Sequence, residues 1–136
     1  MTEHRARCQC GALTVRASAD PDMVVACNCK ACQHRTGAPF GVGGYFKKET
    51  LTMAGASSVW RRAAETGRWI ENHFCPTCGT TLYWGLEMRP DHIGVAAGAF
   101  ESQLPEPARA IWTEDQHDWM IFPDHMPTFP KATPET

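Results

Sequence analysis

Seven cysteines in a chain of 136 residues are the side chains most able to do chemistry, and they are clustered rather than scattered. Cys8 and Cys10 form one group, Cys27, Cys29 and Cys32 a second, Cys75 and Cys78 a third. An odd number would leave one thiol over in a framework built of disulfides alone. The stretch Phe74-Cys75-Pro76-Thr77-Cys78-Gly79-Thr80 has the form of a zinc knuckle. In such a turn the glycine lets the backbone fold tightly, so that amide groups point at the thiolate sulfurs. Cys8-Gln9-Cys10-Gly11 is a shorter version of the same turn. A structural zinc takes four ligands in a closed tetrahedron, whereas a catalytic zinc commonly takes three and keeps one position open. Counting therefore favours a closed zinc site from Cys8, Cys10, Cys75 and Cys78, and a second, labile zinc on Cys27, Cys29 and Cys32. The alternative division joins the trio to one of the pairs. A redox pair is the rival reading for Cys75 and Cys78, although their flanks lack a strand-then-helix pattern. For the trio the rivals are a structural zinc or free thiols.

Zinc held by three thiolates is a weak Lewis acid, because each sulfur donates negative charge. It still lowers the pKa of a thiol that coordinates it, and it suits a soft sulfur ligand better than a phosphate. The chemistry expected of the trio is therefore the making or breaking of a carbon–sulfur bond. A peptide-like thiol carries carboxylates, which call for cations, and Arg35 is the best placed by sequence, with Lys30 inside the cluster and Arg61 and Arg62 further off. His34 is a candidate fourth ligand or general acid, and Glu114 a candidate for proton transfer. Against each stands the plain alternative of a solvated surface charge.

These residues need a frame. The length is that of one domain, read here as residues 1–136 with a core over about 5–120. A chain of this size buries about 68% of its unfolded surface, so it does not need metal merely to have a core. A net charge of −2 argues against a nucleic-acid or anionic-membrane surface. No apolar run approaches a membrane span, and no secretory leader is read at the start, so the expected compartment is the reducing cytosol. Ten prolines and eleven glycines argue against a helical bundle. Strands are expected at 12–17, with Leu13, Val15 and Ala17 on one face, and at 23–26, 40–46, 50–54, 59–62, 69–74, 80–84 and 92–97. One or two helical turns are expected over 30–36, closed by Gly37, and another over 113–118, capped by Thr113. The glycine-rich strand at 40–46 suggests a close approach of backbone to something bulky. The tail after Phe129 is expected to be unstructured. The fold class is a mainly β single domain of short antiparallel strands.

Taken in order, Cys8-Gln9-Cys10-Gly11, Cys27-Asn28-Cys29-Lys30-Ala31-Cys32 with Arg35 and Gly37, and Phe74 to Thr80 resemble the glutathione-dependent formaldehyde-activating family, which includes the centromere protein V domain. Ile111-Trp112-Thr113-Glu114 with Trp119 is similar to the C-terminal signature of that family. Many members carry histidine where this chain has Asn28. The resemblance implies a zinc-stabilised "β-tent", a structural zinc on Cys8, Cys10, Cys75 and Cys78, and a catalytic or labile zinc on Cys27, Cys29 and Cys32. It also implies S-(hydroxymethyl)glutathione synthesis, a carbon–sulfur lyase reaction. The leading expectation is thus a cytosolic zinc enzyme acting on a small thiol such as glutathione or its hydroxymethyl adduct, with Arg35 as a substrate anchor. The second expectation is a zinc-stabilised binding module that does no chemistry.

Overall fold

Leu13, Val15 and Ala17 are buried while Arg16 between them is exposed, the alternation that sets one face of a strand against a core. They lie on and beside β2 (Thr14–Ala17), which pairs antiparallel with β1 (His4–Arg7) on one side and β5 (Leu51–Ala54) on the other. These three form a small sheet. The computed structural model describes residues 3–133.

The larger sheet has seven strands in the order β10-β3-β4-β9-β8-β7-β6. They are β3 (Met23–Cys27), β4 (Gly41–Lys47), β6 (Ser58–Ala63), β7 (Trp69–Phe74), β8 (Thr81–Leu86), β9 (His92–Ala96) and β10 (Arg109–Ile111). The inner faces of the two sheets meet in one apolar cluster, where Leu13, Val15, Phe46, Leu82 and Val95 have at most 1% of their surface exposed. The expected strands appear with ends displaced by no more than two residues, and the mainly β class holds. One pairing departs from the antiparallel expectation, since β10 runs parallel to β3.

The single α-helix among the described residues, α1 (Lys30–Thr36), lies where the sequence places it and ends at Gly37, whose φ of 68° is the left-handed C-cap conformation. Two other expectations are corrected. Thr113 caps nothing: it begins a 3-10 turn over Thr113–Asp115 whose cap position is Trp112, at φ 58°, and its hydroxyl donates instead to the Phe129 carbonyl. The chain after Phe129 is also not free as far as it is described. Trp112 N–H donates to Lys131 O, Glu114 N–H to Pro130 O, and Arg109 to the buried Thr133 hydroxyl. A β strand's unpaired edge groups need partners, and this returning segment supplies them to β10. The remainder of the expected tail, 134–136, lies outside the described residues.

Leu82 has no exposed surface and sits where the two sheets meet. Leu82→Ala is expected to cost about 2–5 kcal/mol. Urea unfolding checks this through a lower midpoint at an unchanged slope.

Candidate metal centres

Two loops far apart in sequence bring four thiols together. Cys8 and Cys10 lie in the turn between β1 and β2, and Cys75 and Cys78 in the turn between β7 and β8. Their sulfurs all lie within 4.8 Å of one another. Cys8 to Cys10 and Cys10 to Cys75 are each 3.7 Å apart. Sulfurs at about 2.3 Å around a tetrahedral zinc stand about 3.8 Å from each other, so the donor set fits such an ion. The backbone is shaped for it as well. Gly11 and Gly79 have φ of 83° and 82°, and the turns they permit aim Leu13 N–H at Cys8 Sγ (3.3 Å) and Thr77 N–H at Cys75 Sγ (3.4 Å). Gln9 N–H donates to the Thr80 hydroxyl, tying one turn to the other across the sheets. The Thr80 hydroxyl and amide also stabilise the Cys78 thiolate, lowering its pKa to about 5.

The remaining thiols, Cys27, Cys29 and Cys32, form a second group with sulfurs within 4.8 Å. Cys27 ends β3, Cys29 is the N-cap of α1 with its sulfur accepting from Cys32 N–H, and Cys32 stands in the first turn. Hydrogen bonds from Cys27 and then Cys32 hold the Cys29 thiol well below its usual range, and the same sharing pushes Cys27 up. A thiolate solvated by two neighbouring S–H groups is an arrangement in which a cation replaces protons. Every donor is a soft sulfur, and three of them leave a fourth position of a tetrahedron unfilled by protein.

What fixes the trio is a pair of amides that the sequence reading did not single out for this task. The Asn28 backbone N–H and side-chain Nδ2 both donate to Ile111 O, at 3.1 and 2.9 Å. Gln33 Nε2 bridges Asn28 O and Asp115 O at 2.8 and 3.0 Å. The late segment thus reaches the trio through its backbone. Glu114 itself is exposed and is not among the grouped ligands, nor is His34. Lys30 is likewise exposed.

Arg35 lies on α1 with its guanidinium carbon 4.4 Å from the centre of the Trp84 ring. Trp84 can lie there because its neighbours have no side chains: a Cβ on Gly43 would come 2.7 Å from the indole, and a Cβ on Gly94 would collide with it outright. A Cβ on Gly41 would likewise strike the Arg35 guanidinium. The glycines of β4 therefore carry the close approach that the sequence suggested, and its object is an indole and an arginine. Trp84 Nε1 donates to Tyr45 Oη at 3.4 Å. Enclosure pushes the Tyr45 phenol up to about 12, and charge on Cys32 and Cys27 pushes the same way.

Arg61 and Arg62 part company. On a strand successive side chains face opposite ways. Arg61 pairs with Glu71 at 2.9 Å and covers Trp69. Arg62 faces the other way and, with Arg35, His34, Trp60, Asn72 and Phe74, borders a hollow of about 400 Å³ between α1 and the β6–β8 strands. Nothing in the strand's pattern sets its phase relative to the trio, so the two arginines cannot be told apart from sequence.

The chain matches the family model described as "Glutathione-dependent formaldehyde-activating enzyme" over residues 3–115. It is 30% identical, over 83% of this chain and 76% of the relative, to a Halomonas elongata protein provisionally named as an enzyme of that kind. It is 27% identical to a Schizosaccharomyces pombe protein named an uncharacterized lyase, over 62% of this chain and 58% of that one. The fold is similar to the crystal structure of a Rhodobacter sphaeroides protein, with a TM-score of 0.57 and 21% identity, covering 74% of this chain and 91% of that one.

A metal ion on the four-thiol site would join two sheets, whereas one on the trio would join residues only five apart. Cys75→Ser and chelation of the wild-type protein are therefore both expected to lower the thermal midpoint by about 10 °C or more, while Cys29→Ser stays folded. Circular dichroism melts of the three samples make the comparison.

Proposed function

The chain belongs to the glutathione-dependent formaldehyde-activating enzyme family, and on that premise we propose that it is a zinc-dependent carbon–sulfur lyase acting on a small thiol. Glutathione and its hydroxymethyl adduct are the leading candidates. In the forming direction the thiol sulfur bonds to the aldehyde carbon, and the thiol proton ends on the aldehyde oxygen. In the reverse direction that bond breaks with its electron pair leaving on sulfur, the carbonyl double bond re-forms, and the hydroxyl proton returns to the sulfur.

Zinc on the trio would supply a soft site that lowers the pKa of an incoming thiol. Cys27, Cys29 and Cys32 hold that position, and Cys8, Cys10, Cys75 and Cys78 hold a structural zinc in a β-tent. Arg35 anchors a carboxylate of the thiol. Its stacking on Trp84 restricts the guanidinium before any ligand arrives, so less side-chain freedom is lost on binding. Burial holds the Tyr45 phenol at about 12, so it keeps its proton at neutral pH and is not a base. The observation that carries the reading is the pairing of a three-thiol site with a hollow bordered by Arg35 along the same short helix. The reading also favours a reducing compartment, in which these thiols remain free to bind metal.

Elemental analysis before and after incubation with reduced glutathione tests it. Two zinc ions per chain are expected, falling towards one as the thiol reaches the trio. Cys29→Ser is expected to begin at one and to lack formaldehyde-dependent consumption of glutathione while remaining folded. One zinc in the wild type from the outset, with three titratable thiols, would favour the binding-module reading instead.

A further inference from the structure

Arg62 and Arg35 come from separate parts of the chain and meet at the same hollow. Arg35 is on α1, next to the trio in sequence, whereas Arg62 is on β6, the edge strand of the large sheet. Its register is set by pairing with Ile70 on β7, two residues along from the Trp60–Asn72 pair and therefore on the same face. That register puts Trp60, Arg62, Asn72 and Phe74 on the face towards α1 and leaves Arg61 with Glu71 on the other.

The charges around the hollow do not cancel. Elsewhere Arg5, Arg16 and Arg61 have carboxylate partners, and Arg68 and Arg89, which have none among the described residues, stand exposed outside any part of this hollow. Among the described residues no hydrogen bond or ion pair engages Arg35 or Arg62, whose recorded partners are the Trp84 face and the charge of the trio. No acidic side chain borders the hollow. Trp60, 57% exposed, adds an apolar wall to it. Two guanidinium groups facing one cavity with an aromatic wall, beside a helix whose N-terminal end carries Cys29 and Cys32, suit a ligand that carries anionic groups at two points and a thiol at a third.

We infer that Arg62 is a specificity-determining residue that, with Arg35, clamps two anionic groups of one thiol ligand in the hollow between α1 and β6. The inference rests on the thiol reading of the trio for the identity of the ligand but not for the clamp. Arg35 holds one anionic group and Arg62 the other. A thiol with one anionic group or none gains only part of this, so the edge strand selects among thiols that the trio alone would treat alike.

Isothermal titration of the zinc-loaded wild type, Arg62→Gln, Arg62→Lys and Arg61→Gln against three probes tests the clamp. The probes are glutathione, S-methylglutathione, which keeps the carboxylates but blocks the sulfur, and 2-mercaptoethanol, which keeps only the thiol. Arg62→Gln is expected to weaken glutathione and S-methylglutathione about tenfold each and to leave 2-mercaptoethanol unchanged. Arg62→Lys is expected to restore part of the loss, and Arg61→Gln to match the wild type. Equal binding of S-methylglutathione by wild type and Arg62→Gln overturns the clamp, as does an equal loss for 2-mercaptoethanol, which would mean that Arg62 acts through the trio. Failure of 2-mercaptoethanol to bind, with glutathione no tighter than S-methylglutathione and both still dependent on Arg62, overturns the thiol chemistry while the clamp stands.

Discussion

Four sulfurs all within 4.8 Å of one another cannot all be thiolates unless a cation sits among them. That constraint organises the molecule. The turn carrying Cys8 and Cys10 belongs to the small sheet, and the turn carrying Cys75 and Cys78 belongs to the large one. Closing 65 residues between Cys10 and Cys75 is entropically costly, and an ion that binds only the closed arrangement repays that cost directly. The apolar cluster between the sheets then packs on a fixed hinge line. The Thr80 hydroxyl, placed by the same turn, accepts from Gln9 N–H and serves Cys78 as well, so the polar groups at the junction are used by both loops.

The trio is built on a different logic. It sits at the junction of one strand and one short helix, so an ion there adds little long-range order. Its position relative to the rest is fixed by Asn28 and Gln33, which hydrogen-bond to the backbone of the segment from Ile111 to Asp115. Trp112 lies within that segment at φ 58°, a left-handed conformation that costs free energy for a residue other than glycine. Backbone bonds from Trp112 to Lys131 and from Thr113 to Phe129 hold it there. The returning C-terminal chain is therefore part of what positions the trio.

The cysteine spacing and the strand pattern were legible because each reflects a local rule: knuckle turns need a glycine at a given offset, and half-buried strands alternate. Gly37 at the end of α1 was legible for the same reason. What escaped the sequence was non-local. β1 has one buried residue, Ala6, in four, too few to show a period. β10 is three residues long, close behind Pro105 and Pro107, and it exists because β3 and the returning tail pair with it. The glycine-rich strand at 40–46 signalled a close approach, but only the fold could say that the indole against Gly43 lies against Gly94 as well.

The two sulfur clusters also differ in how the nearby cations are engaged. Beside the four-thiol site, Arg7 donates to the carbonyls of Cys8 and Gln9, so its hydrogen bonds serve the knuckle itself. Beside the trio, Arg35 stacks on Trp84 and neither it nor Arg62 makes a hydrogen bond among the described residues. A divalent ion with three thiolates carries one net negative charge, and a fourth thiolate would make it two. Two guanidinium groups nearby offset that charge without coordinating the metal, and their unused donors still face the hollow. A site meant only to hold the fold together would engage those donors with its own backbone, as Arg7 does. Leaving them open favours a ligand that arrives with its own acceptors, which is the distinction between a structural metal and one that meets a substrate.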